Sequence, residues 1–120
     1  MEENITFKIT LVNKTDEIFY FNKVIPGYHI SINKLELHPN DSQEITFHIP
    51  FDITLQAEIF LDKTSILIMN FLQIYTGSST FAISLNDPSY KSTVTFRKRY
   101  QPQPKLLQIS EVILEIMNKN

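Results

Sequence analysis

The sequence predicts an all-β protein, a single-domain antiparallel β-sandwich of about eight or nine strands. Three observations predict it. Residues 5–12 alternate without a fault, with Ile5, Phe7, Ile9 and Leu11 on one side and Thr6, Lys8 and Thr10 on the other. That two-residue period belongs to a strand with one wet face. Segments of the same kind recur along most of the chain, divided by turn signals at roughly the eight-to-twelve-residue spacing of sandwiches and barrels. Glycine is scarce, with 2 in 120 residues. A closed barrel needs glycine kinks and bulges at its corners, so two stacked sheets fit better.

The first strand ends at Asn13-Lys14-Thr15-Asp16, a turn composition. Residues 17–24 form a second strand with Phe19 and Phe21 on one side and Ile18 and Tyr20 on the other. Both faces are apolar, as expected of a central strand or of one lying beside a partner surface. Pro26-Gly27 suits a type II turn. Residues 28–37 read as one long strand with a fault. Tyr28, Ile30 and Ile32 share a face, whereas Leu35 and Leu37 are out of phase with them. A bulge or bend near Asn33-Lys34 reconciles the halves.

His38-Pro39-Asn40-Asp41-Ser42 is the strongest turn signal in the chain. After it, 44–49 places Ile45, Phe47 and Ile49 opposite Glu44, Thr46 and His48, and Pro50 ends the run. Residues 54–61 turn Leu55, Ala57, Ile59 and Leu61 inward and Gln56 and Glu58 outward. Asp62-Lys63-Thr64 leads into 65–72, the most buried-looking strand. In 80–85, Phe81, Ile83 and Leu85 alternate with Ala82 and Ser84, and 86–89 is a loop. In 92–99, Val94 and Phe96 are expected inside and Thr93, Thr95 and Arg97 outside. Gln101-Pro102-Gln103-Pro104 breaks the regularity and is expected to run extended over the surface.

The C-terminal segment, 106–117, reads either as a strand or as a short helix. A strand turns Val112, Leu114 and Ile116 inward and Glu111 and Glu115 outward; a helix makes a stripe of Leu106, Ile109, Ile113 and Ile116, capped by Ser110. The β-branched content favours the strand.

Composition sets bounds on function. The chain has no cysteine, which removes disulfides, thiolate metal sites and thiol catalysis. Its N-terminus, Met1-Glu2-Glu3-Asn4, has neither the basic nor the apolar region of a signal peptide. No apolar run reaches the roughly twenty residues of a membrane helix. The expected location is therefore cytoplasmic, or outside the cell by a non-classical route. The net charge of −2 gives no general pull toward nucleic acid. Sequons at Asn4, Asn13 and Asn40 are read as products of an Asn/Ser/Thr-rich surface rather than as glycosylation sites.

No residue set has the form of a catalytic centre. His29, His38 and His48 lack partners at metal-ligand spacing, and no G-x-S-x-G is present. Asp16-Glu17 is a carboxylate pair inside a turn, where turn chemistry accounts for it. The expectation is a non-enzyme with no cofactor and no metal. Two surface candidates stand out. Arg97-Lys98-Arg99-Tyr100 is a basic cluster, suited either to anionic groups or to guarding a strand end against edge pairing. Phe19, Tyr20, Phe21 and Tyr28 belong to an aromatic stretch too rich for one core face, which either meets a lipid or protein partner or is covered by loops.

Three pieces of the chain resemble the aegerolysin family, especially its small bacterial insecticidal members. They are the first strand running into Asn13-Lys14-Thr15, Pro39-Asn40-Asp41 ahead of a mid-chain strand, and Ile83-Ser84-Leu85-Asn86-Asp87-Pro88-Ser89-Tyr90. The resemblance implies a β-sandwich without a signal peptide that binds membrane lipid or a receptor and acts with a larger pore-forming partner. The family is rich in glycine and tryptophan, and this chain has no tryptophan. The expected function is thus a surface-binding sandwich, either a membrane-active or toxin-associated module or an immunoglobulin-like domain for protein interaction, adhesion or assembly. Its partner is a membrane lipid or a protein, and a homo-oligomer is compatible with either.

Overall fold

The computed structural model describes residues 4–25, 31–32, 35–50, 55–73, 78–86, 89–102 and 105–119, with the side chains of 7–25, 35–47, 56–69, 82–86, 89–97 and 111–119. Within them the chain forms ten strands: β1 (Asn4–Lys14), β2 (Phe19–Ile25), β3 (Ser31–Ile32), β4 (Glu36–Leu37), β5 (Ser42–Pro50), β6 (Leu55–Leu61), β7 (Ser65–Gln73), β8 (Ser78–Leu85), β9 (Tyr90–Pro102) and β10 (Lys105–Asn118). The fold is all-β, and the C-terminal segment is a strand.

The strands lie in two layers. One runs β3-β5-β1-β10-β9 and the other β4-β2-β6-β7-β8. Neighbours are antiparallel except β1 with β10, and β10 with β8. The core between the layers follows the alternation of the sequence. Phe7, Ile9 and Leu11 of β1, Ile45 and Phe47 of β5, and Val112, Leu114 and Ile116 of β10 come from one side. They meet Phe19, Leu37, Ala57, Ile59, Leu61, Ile66 and Ile68 from the other. Phe7 stands directly opposite Phe47, their rings tilted with centroids 6.4 Å apart. Burying one such side chain stabilises the fold by about 1.5–3 kcal/mol.

The expected fault near Asn33-Lys34 proves larger than a bulge. The two halves of the expected long strand are separate strands in different layers, β3 on β5 and β4 on β2. Leu37 is buried, but Leu35, expected on the same face, is 71% exposed. A second change of layer occurs in β10. Leu107 pairs with Ser78 of β8, whereas 111–117 pair with β1. Between them the β9 register slips at Ser110, leaving one extra residue on β10. Strands that switch sheets do so at bulges, which bend the strand and raise its twist.

Two further expectations change. Residues 101 and 102 do not break the regularity: β9 continues through Pro102, which stands opposite Lys105. Proline is tolerated there because the strand end needs no N–H in the ladder. In β7, expected to be the most buried strand, Ile66 and Ile68 are buried but Leu67 is exposed, so its outer face meets water at that residue. The turn at 38–41 forms as read. Asp41 N–H donates to the His38 carbonyl at 3.0 Å, and Asn40 has φ 65°. Proline second and a left-handed residue third is the type II pattern. Pro26-Gly27, His29 and Tyr28 lie outside the described residues.

Candidate functional site

β9 pairs with β10 from Tyr90 opposite Asn118 to Pro102 opposite Lys105. Among the described residues, no strand pairs with its other side. Residues directly opposite each other in a ladder share a face. Val94 lies opposite Leu114 and Phe96 opposite Val112, and both partners are wholly buried. Val94 and Phe96 therefore point toward the core face, as expected. They are not buried, however: Val94 is 38% exposed and Phe96 50% exposed. Among the described residues β9 is the last strand of its layer; its first residue, Tyr90, still packs on Phe19 of the opposing layer, whereas Val94 and Phe96 further along are left partly uncovered.

On the outer face of this pair, Thr95 stands opposite Ile113 and Arg97 opposite Glu111. Glu111 also lies opposite Lys8 of β1, so one carboxylate sits between two cations along the sheet. Thr95, Phe96, Arg97, Glu111 and Ile113 line a depression of about 170 Å³. Arg97 is exposed there, beside half-exposed apolar side chains. Lys98, Arg99 and Tyr100 continue β9 opposite Ile109, Gln108 and Leu107; their side chains lie outside the described set.

The aromatic candidates are divided. Phe19 is wholly buried and belongs to the core, where its ring meets Tyr90 edge-on at 5.3 Å and carries Lys63 Nζ at 5.4 Å. Phe21 is partly buried against the same core. Of the candidates among the described residues, only Tyr20, 44% exposed, faces out. Its N–H donates to Asp62 Oδ1 at 2.9 Å, and its carbonyl accepts from Asp62 N–H at 3.0 Å, so Asp62 extends the β2–β6 ladder by one step. The apolar excess of β2 thus has two destinations, the core and the outer face.

That outer face also carries Ile25 and Leu67, on either side of Glu58 in one row of the sheet, and Phe60 under Lys23 Nζ at 4.9 Å. Sequence reasoning missed Leu67, Ile25 and Ile113 as surface residues. Their only signal was an apolar residue on the face that the alternation marks as wet.

Asp16 and Glu17 lie at the surface, and each accepts a hydrogen bond from a residue distant in the sequence. The Tyr90 hydroxyl donates to the Glu17 carboxylate, and Asn118 Nδ2 donates to Asp16 Oδ1 at 3.3 Å. With Ser89 and Lys119 these residues border an open polar hollow of about 460 Å³. His38 Nε2 lies 2.8 Å from Glu36 Oε2 at the surface, and the side chain of His48 is outside the described set. Among the described residues no three His, Cys, Asp or Glu side chains gather as a metal-ligand set. No helix is long and apolar enough to cross a membrane among them.

These features define an all-β sandwich whose notable surfaces are a strand edge and an outer sheet face. No protein-family model matches the chain, and no curated protein matches it.

Proposed function

We propose that this chain is a non-enzymatic binding module that works through its surface, and that a partner protein docks on its β9 side. One observation carries the reading. Val94 and Phe96 aim at the core face yet stand half in water at the layer's end, and Phe96 reaches the depression that Arg97 and Ile113 line from the outer face. Clustered exposed apolar groups beside a polar rim mark interaction surfaces. The strand edge favours a protein over a bilayer, because hydrocarbon offers no partner to edge N–H and C=O groups. The test is selection of a displayed peptide library on the immobilised protein, repeated with Phe96→Ser. Ligands enriched by the natural protein and lost by a folded variant support the reading. No enrichment, or enrichment indifferent to the change, refutes it.

A second reading places the contact at a membrane. Tyr20, Ile25 and Leu67 on the outer face of β2, β6 and β7 favour it, with Lys23 beside them. The resemblance to aegerolysins implies the same, with a pore-forming partner supplying toxicity. Sedimentation with liposomes of varied composition tests it. Pelleting that is abolished by Tyr20→Ser with Leu67→Ser supports the membrane; no pelleting removes it.

A further inference from the structure

We propose that β9 receives an extended acidic segment of another protein, which adds to the sheet as a further strand. The inference rests on the docking reading above and names the partner's chemistry. In an antiparallel ladder alternate residues turn N–H and C=O away from the neighbour, so an edge strand presents a row of them outward. β9 is 13 residues long, well beyond the usual strand. Main-chain pairing along such an edge supplies affinity, and alternate side chains supply selectivity.

Charge decides between the occupants. β9 carries Lys91, Arg97, Lys98 and Arg99 and no acidic residue. A second copy pairing antiparallel through β9 would offer no acid to any of these cations at any register, and registers that face Lys91 with Arg97 or Arg97 with Arg99 would set like charges against each other, which destabilises a ladder. The strand that β9 already accepts shows the preferred pattern. β10 places Glu111 opposite Arg97, and buried Val112 and Leu114 opposite Phe96 and Val94. A segment on the open side that repeats this alternation sets its acids beside Arg97 and Lys91. Its apolar residues then cover the exposed parts of Val94 and Phe96. The net charge of −2 on the whole chain makes this cationic strand a local feature rather than a general attraction for anions.

The experiment uses a fluorescein-labelled, end-blocked peptide of alternating glutamate and valine, about eight residues long and so able to span the edge. Its controls are the lysine–valine counterpart and a version N-methylated at alternate residues. The glutamate peptide is expected to bind the whole protein about tenfold or more tighter than either control, since each control removes several charge pairs or ladder bonds. Amides of residues 91–97 should gain protection from hydrogen exchange. Lys91→Glu with Arg97→Glu should reverse the preference between the two charged peptides; should that variant not fold, the peptide comparison and the exchange map still decide. Equal binding of the charged peptides, or protection on β2, β6 and β7 instead of β9, overturns the proposal. If neither charged peptide binds while library selection yields ligands sensitive to Phe96→Ser, the acidic strand is wrong and the docking reading survives. If selection yields nothing either, both fall.

Discussion

The side-chain amide of Asn13 donates to the main-chain carbonyl of Leu37, 2.9 Å away and 24 residues later. Both residues are wholly buried. The same amide donates to the Glu17 carbonyl at 2.7 Å, and its oxygen accepts from Thr15 N–H at 2.9 Å and from the Thr15 hydroxyl at 2.6 Å. The backbone of Asn13 adds bonds to Asp41 and Asn40. One side chain thus ties the end of β1, the entry to β2, β4 and the 38–41 turn. Two of the three segments behind the aegerolysin resemblance meet here, and their residues satisfy buried polar groups.

Asn13→Leu should therefore destabilise strongly. It strips the side-chain donor from the buried Leu37 carbonyl and the acceptor from the buried Thr15 N–H, at about 1–3 kcal/mol each, so a loss of about 2 kcal/mol or more is expected. Urea unfolding measures it. A loss below about 1 kcal/mol would mean that the knot reforms around water. The same geometry corrects the reading of Asn13 as a surface sequon, because both amide hydrogens are engaged inside the fold.

Asn40 sits at φ 65°. Asn40→Gly should be within a few tenths of a kcal/mol of the natural protein, because glycine enters the left-handed region without a Cβ penalty. Asn40→Ala should cost about 1–2 kcal/mol. Equal stabilities of the two variants would contradict the turn geometry.

Phe7 and Phe96 test where the core ends. Phe7→Ala should cost about 3–5 kcal/mol, as for a buried phenylalanine. Phe96→Ser should cost less than half of that, because half of its surface is already in water. Comparing the two unfolding midpoints at a common m-value decides it.

Thr64 is buried, and among the described residues its hydroxyl has no hydrogen-bond partner. Thr64→Val removes that oxygen with little change of shape. It should be neutral or stabilising by up to about 1 kcal/mol in a thermal unfolding scan. A clear loss would reveal a partner for the hydroxyl.

Arg97 and Glu111 face each other across β9 and β10. A double-mutant cycle with Arg97→Ala and Glu111→Ala should yield a coupling of about 0.2–1 kcal/mol that shrinks at high salt. A coupling near zero would assign Glu111 to Lys8 alone.

The strands were legible because each half-buried strand must alternate at its own period. Ile9, Phe47, Ile59 and Val112 could each be read as inward from neighbours two residues away, and all are buried. The candidate surfaces were only half legible. Arg97 stands out in the sequence and is exposed, but Phe19 and Tyr20 looked equivalent there, and only one of them faces water. Direction on a strand is a local property. Exposure depends on whether another layer lies above, and the sequence of one strand carries no record of that.

The sequence by itself determined that the chain is all-β, where most strands begin and end, and which side of each is apolar, because these follow from local propensity and a two-residue period. Only the tertiary structure decided that β1 pairs parallel with β10, that residues 31–37 divide between two layers, and that β9 ends its layer with Val94 and Phe96 half uncovered. Those outcomes depend on pairings between residues tens of positions apart. Long-range packing selects such pairings, and the alternation of a single strand is compatible with many of them.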